Sequence, residues 1–248
     1  MYNVLIVSFG EINNRINNLI YELENIKKVK LTIINGFEED NVKILKRKYD
    51  GIILTGYGET NNLMCNPKKN EINYFRKKCS INKLIKVKEH NLQNIFDLID
   101  HNINSPIYGI CYGFQVLNYY YGGYNRKLAY KNTGPQETQL NNKINIFKNI
   151  PKKIIADYNH YYYCKNDNPN VEDVAFTNNL KGIAKQYSNI HYGSMFHIIG
   201  SDNSLKQIIT NFISIVKNEK QKALIINYYK IILLLTIFFI ILFKVSHT

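Results

Sequence analysis

The sequence has no tryptophan, only five prolines and only four cysteines in 248 residues. Cys65, Cys79, Cys111 and Cys164 show neither the paired spacing of a zinc site nor the density of a disulfide-stapled secreted domain, so no metal site and a reducing compartment are expected. No basic region precedes the short apolar run of MYNVLIVSFGEINN, and the pattern continues as strand then helix, so no signal peptide is predicted. A phosphate-binding loop is lacking, which predicts that the chain does not activate an acceptor by itself. Zinc-finger and aromatic RNA-binding motifs are lacking too. The net charge of +13 rests on scattered lysines, which predicts a solvated basic surface and no specific nucleic acid binding.

What is present is ordinary globular composition, 45% hydrophobic and 21% charged, in a chain long enough for one sizeable core plus an appendage. Apolar, β-branched runs at 4–9, 29–34 and 51–55 read as buried strands. Between the first two, Ile16, Leu19, Ile20 and Leu23 recur at helical spacing. Strand, helix, strand in that order predicts an α/β domain with a mostly parallel sheet. Residues 61–91 turn polar and lysine-rich and read as a surface insertion. Beyond them the pattern predicts a helix over 91–100, a strand over 106–110 and a helix over 112–121 that stops at Gly122 and Gly123. Strands are expected over 143–149, 153–163, 182–186 and 191–197, then an amphipathic helix over 205–216.

The chemistry centres on Gly109, Ile110, Cys111, Tyr112 and Gly113, where a buried strand gives way to a helix. Small residues on both sides of a nucleophile allow a sharp strand-to-helix turn and close packing of the helix on the strand. The sulfur is then held near a helix N-terminus, whose partial positive charge favours thiolate. The backbone N–H of Tyr112 is available to an oxyanion.

The longer string GICYGFQVLN, followed by YYGG, resembles the signature of class I glutamine amidotransferases, with Gln115 matching and Phe114 at the usual histidine place. YDGIILTGYGET resembles the family's aspartate, glycine, strand and glycine-rich turn, and the resemblance puts a second oxyanion-hole amide near Gly58. GIAKQYSNIHYGSMFHI resembles the stretch leading to the catalytic histidine, matched by His197, and QIITNFI resembles the closing helix. The resemblance covers roughly residues 1–217 and implies a flavodoxin-like sheet with helices on both faces. It also implies Cys111 as nucleophile, His197 as base, Gly58, Tyr112 and Gln115 at the substrate, and no cofactor. The substrate implied is glutamine or a γ-glutamyl compound, and the partner implied is an ammonia-accepting synthetase subunit. His160 reads as structural.

The family's glutamate, two places after the histidine, is replaced by Ile199, with Ile198 at the intervening proline. Neither isoleucine can accept the imidazole's other N–H. Asp202 is near in sequence and substitutes only if the turn after His197 differs from the family's. Two readings follow: a working enzyme with a two-residue site, or a catalytically impaired homologue that binds or scaffolds.

After the closing helix come a basic linker, 218–222, and the run ALIINYYKIILLLTIFFIILF at 223–243. Twenty-one residues make about 31 Å of helix, a bilayer span if Lys230 snorkels. The tail is therefore expected to be a single-pass anchor. Lys217, Lys220 and Lys222 flank it on the domain side, which predicts a cytoplasmic catalytic domain.

Overall fold

The computed structural model describes residues 1–10, 12, 14–36, 42–57, 92–197 and 203–245. Gly58, the insertion at 61–91, Ile198, Ile199 and Asp202 lie outside them. Strands β1 (Tyr2–Phe9), β2 (Val29–Asn35), β3 (Gly51–Tyr57), β4 (Ile107–Ile110), β5 (Tyr124–Leu140), β6 (Lys153–Lys165), β7 (Glu172–Phe176), β8 (Lys181–Gln186) and β9 (His191–Ser194) form one sheet. Its order is β2-β1-β3-β4-β9-β8-β7-β5-β6. The first five strands in that order are mutually parallel, and the remaining pairings are antiparallel.

The parallel half follows from the sequence directly. Val4, Leu5, Ile6 and Val7 are fully buried, as are Ile52 and Leu54, because strands covered on both faces need apolar side chains in both directions. Helices α1 (Asn14–Glu24), α2 (Val42–Leu45), α3 (Gln93–His101), α4 (Tyr112–Tyr120) and α5 (Asn203–Val245) pack around it. Right-handed crossovers leave β1 and β3 in opposite directions, so α1 covers one face and α3 the other. Helix α5 closes the face of α1. Its Phe212 and Val216 sit where a side chain on Gly51 would be, against the start of β3.

The expected strand over 143–149 is corrected to a single 3-10 turn, Asn145–Phe147. Ile146 and Phe147 are adjacent and both buried, which a tight turn permits and the alternation of a half-buried strand does not. Asn211 of α5 donates to the carbonyls of Ile146 and Lys148, at 3.0 and 2.7 Å, in place of a strand partner. Strands β5 and β7 have no counterpart among the expected elements, and they enlarge the antiparallel half. Residues 218–222 are helical, so the closing helix and the apolar run form one continuous element.

Candidate active site

Both elbow glycines are required by close approach. A Cβ on Gly109 would lie 2.6 Å from the Gly113 carbonyl oxygen, and one on Gly113 would lie 2.1 Å from that of Leu54. Helix α4 therefore starts directly against β3 and β4, and Cys111 takes the turn between them with φ 52° and ψ −103°. A positive φ at a non-glycine residue persists only where the surroundings impose it, and such strain clusters at functional positions. Here the surroundings are the bond from Cys111 N–H to the Ser194 carbonyl (2.7 Å), which continues the β4–β9 ladder, and the first α4 bond from Gln115 N–H to the Cys111 carbonyl (3.1 Å).

His197 lies beyond the end of β9, its N–H donating to the Asp157 carbonyl at 3.0 Å in an antiparallel bridge. Cys111 and His197 meet across Gly56. The position of a Cβ on Gly56 is 3.3 Å from the Cys111 Cβ and 3.5 Å from the His197 Cε1. The C-terminal end of β3 thus forms the floor between Cys111 and His197, and a residue without a side chain leaves that floor open.

The Cys111 sulfur and His197 are not hydrogen-bonded to each other, and His197 Nε2 is buried with no partner among the described residues. Burial pushes the Cys111 thiol up to about 11, opposed by the Tyr112 backbone N–H and the nearby Arg15 charge. Burial likewise pushes His197 down to about 3, with further lowering from Arg15 and His160. The resting pair is therefore a neutral thiol beside a neutral imidazole. Proton transfer between them needs a change that favours charge, such as a hydrogen bond donated to the sulfur or one accepted from the imidazolium.

Arg15, from the first turn of α1, forms a 2.6 Å ion pair with Asp157, the cross-strand neighbour of His197. Its charge favours thiolate at Cys111, so Arg15→Gln is expected to raise the thiol further and shift the pH profile of Cys111 alkylation by iodoacetamide to higher pH. An unchanged profile would place Arg15 too far from the sulfur to matter.

Gln115 is buried, accepting from Asn125 Nδ2 at 3.2 Å and facing Met195 Sδ at 4.0 Å. Phe114 is fully buried, its ring in the space a Gly193 side chain would need and 6.2 Å from the Tyr187 ring. Phe114, at the place where the family resemblance expects histidine, thus fills the interior under the elbow. His160 is also interior, with Nδ1 donating to the Tyr162 carbonyl at 2.7 Å and Nε2 3.0 Å from Asn132 Nδ2. Cys164 is buried at the end of β6. Among the described residues no group of three or more His, Cys, Asp or Glu is placed to hold a metal ion.

Three residues at the site escape sequence reasoning: Gly56, Arg15 and Asp157. Gly56 carries a signal, since it sits in the glycine-rich turn that follows the third strand. Arg15 and Asp157 carry none, because an ion pair spanning 142 residues has no local pattern.

The sequence model of the family described as glutamine amidotransferase class-I matches residues 11–197. A GMP synthase (glutamine-hydrolyzing) of Fusobacterium nucleatum is 26% identical over 221 residues, which cover 88% of this chain and 37% of that protein. One of Brachyspira hyodysenteriae is 33% identical over 123 residues, 48% of this chain and 24% of that protein. The chain thus spans well under half the length of these curated relatives. Among solved structures, a GMP synthase subunit protein from Thermoplasma acidophilum superposes with TM-score 0.69 at 21% identity, covering 90% of this chain and 98% of that one. A glutamine amidotransferase from Thermotoga maritima superposes with TM-score 0.54 at 17% identity, covering 90% of this chain and 85% of that one.

Proposed function

Because the chain belongs to the class I glutamine amidotransferase family, we propose that it hydrolyses the side-chain amide of glutamine, or a γ-glutamyl bond, through a thioester on Cys111. The observation that carries this reading is the meeting of a strained Cys111 and a half-buried His197 across the bare Gly56. Cys111 gives its proton to His197 and attacks the amide carbon, with the Tyr112 N–H facing the developing oxyanion. The C–N bond breaks as ammonia leaves with the proton from His197. Water activated by His197 then cleaves the thioester, releasing glutamate and restoring the thiol.

The reading is tested by labelling with a glutamine analogue that carries a diazoketone in place of the amide. Labelling confined to Cys111 and slowed by glutamine supports it, whereas labelling that glutamine does not slow contradicts it. Gly56→Val is expected to reduce ammonia release by about 100-fold, since small displacements of reacting groups cost that much. Its melting temperature should stay close to that of the wild type, and ammonia release by this variant at the wild-type rate would remove Gly56 from the site.

A catalytically impaired binding protein is the second reading, favoured by Ile199 at the glutamate position and by a His197 Nε2 that has no partner among the described residues. The two part on turnover. The likeness to glutamine-hydrolyzing GMP synthases makes a synthetase the acceptor of the released ammonia in this reading.

The tail is read as a membrane anchor. Among the described residues one helix is long and apolar enough to cross a membrane, and its most apolar window is not buried at all. Leu233, Leu234, Phe238 and Phe239 are all more than half exposed. Apolar surface on this scale marks a membrane or a partner.

A further inference from the structure

The direction in which α5 leaves the domain assigns one edge of the sheet to the membrane. Lys220 donates to Asp50 Oδ2 at 2.7 Å and to the Met1 carbonyl at 2.8 Å, and lies 5.7 Å from the Tyr2 ring centroid. Asp50 and Met1 immediately precede β3 and β1, so the helix is fastened to the edge where the parallel strands begin. From Lys220 to Ala223, where the apolar run starts, is three residues of unbroken helix, about 4.5 Å. No slack separates the domain from the bilayer that the tail would enter.

That same edge is cationic. The strands β1, β2, β3 and β4 all start there, and the segments leading into them bring Lys27 and Lys28 before β2 and Lys46 and Arg47 before β3, all exposed. Lys217 and Lys222 add to them on α5. Of the carboxylates beside them among the described residues, Asp50 is engaged by Lys220, Glu219 by Lys222, and Asp100 accepts from Tyr120, leaving Glu24 at the end of α1. Lys48 donates to the His101 carbonyl.

We infer that the strand-N-terminal edge, through Lys27, Lys28, Lys46 and Arg47, is a docking face for an anionic lipid surface around the point where α5 enters the bilayer. The inference rests on the membrane-anchor reading. Basic side chains next to a membrane entry point attract acidic headgroups, and four on a rigid edge orient the domain as well as hold it. Cys111 sits at the opposite edge. Gly51 and Gly56, at the two ends of β3, are about 17 Å apart in extended chain. The active site therefore faces away from the membrane, open to a soluble partner.

The test is lysine footprinting of the full chain, reconstituted in nanodiscs of phosphatidylcholine alone or with phosphatidylglycerol, against the same chain in detergent. Acylation of Lys27, Lys28 and Lys46 is expected to fall several-fold in the anionic discs and less in the neutral ones. Lys181, beyond the opposite edge, should label equally throughout. Disc-bound protein whose edge lysines label as in detergent overturns the inference while leaving the anchor standing. Protein that does not enter discs at all overturns the anchor and the docking face together.

Discussion

Gly113→Ala is expected to destabilise the domain by more than about 4 kcal/mol, beyond the 1–3 kcal/mol of ordinary overpacking. The added methyl would lie 2.1 Å from the Leu54 carbonyl oxygen and 2.4 Å from the carbonyl carbon. Leu54 cannot retreat, because β3 is held between β1 and β4 in the middle of the parallel half. Helix α4 must lift instead, which breaks the elbow. A loss of this size lowers the melting temperature by roughly 8–16 °C in a domain of this length, measurable by circular dichroism. The comparison is Gly134→Ala, where nothing lies within 4 Å and only φ of 82° is unfavourable, so about 1–2 kcal/mol is expected. Equal melting of the two variants would mean that α4 does not abut Leu54.

Acid is expected to unfold the domain steeply, and histidines are the reason. His160 and His191 are each lowered from 6.5 to about 4, and His197 to about 3, in every case chiefly by burial. For His191 and His160 the neutral ring is also the bonded one. His191 places Nε2 2.9 Å from the Ser105 carbonyl and accepts from the Tyr121 hydroxyl, and His160 has a donor role at Nδ1 and faces an amide N–H at Nε2. A histidine whose pKa is lower in the folded state contributes nothing above 6.5, where both states are neutral. Below 6.5 the unfolded chain binds protons that the folded chain refuses, so stability falls as pH falls until about 4. Three protons correspond to at most about 4 kcal/mol per pH unit within that window. Across the window the loss reaches at most about 10 kcal/mol, comparable with an ordinary stability of about 5–15 kcal/mol, so the melting temperature should fall steeply toward pH 4. Thermal melts between pH 7 and 4 follow the loss, and His191→Asn should flatten the slope. A melting temperature independent of pH across that range would show that these rings titrate freely in the folded state.

The parallel half of the fold was legible because its strands are buried on both faces and announce themselves as unbroken apolar runs. The elbow was legible for a different reason: glycine at 109 and 113 around a cysteine satisfies a steric demand that few other arrangements make. Strand β5 was hidden. It alternates exposed and half-buried residues only from Lys131 to Glu137, takes its order from the tyrosine-rich β6 beside it, and contains Gly134 and Pro135, which read locally as a turn. The 3-10 turn at 145–147 misled through the alternation of Ile144 and Ile146, which imitates a strand. At the candidate site, Cys111 and His197 are proposed from local pattern and lie on either side of Gly56, whereas the Arg15–Asp157 pair exists only once α1 and β6 are brought together. Gly56 was within reach, since a strand adjacent to β4 must end beside Cys111. Gly58, assigned to the second oxyanion amide, lies outside the described residues, as does Ile199.

The departure at Ile199 makes the state of the Cys111–His197 pair the central question, because two neutral groups kept neutral by burial are poised for catalysis only if glutamine shifts them. Glutamine-dependent release of ammonia and glutamate by the full chain in detergent, with Cys111→Ala and His197→Ala beside it, asks this directly. Release by the wild type that vanishes in Cys111→Ala and falls by at least about 100-fold in His197→Ala is the expected result. Release that persists in Cys111→Ala, or none from wild-type protein whose Cys111 is also untouched by the diazoketone analogue, would contradict a working site and leave the fold as a binding scaffold.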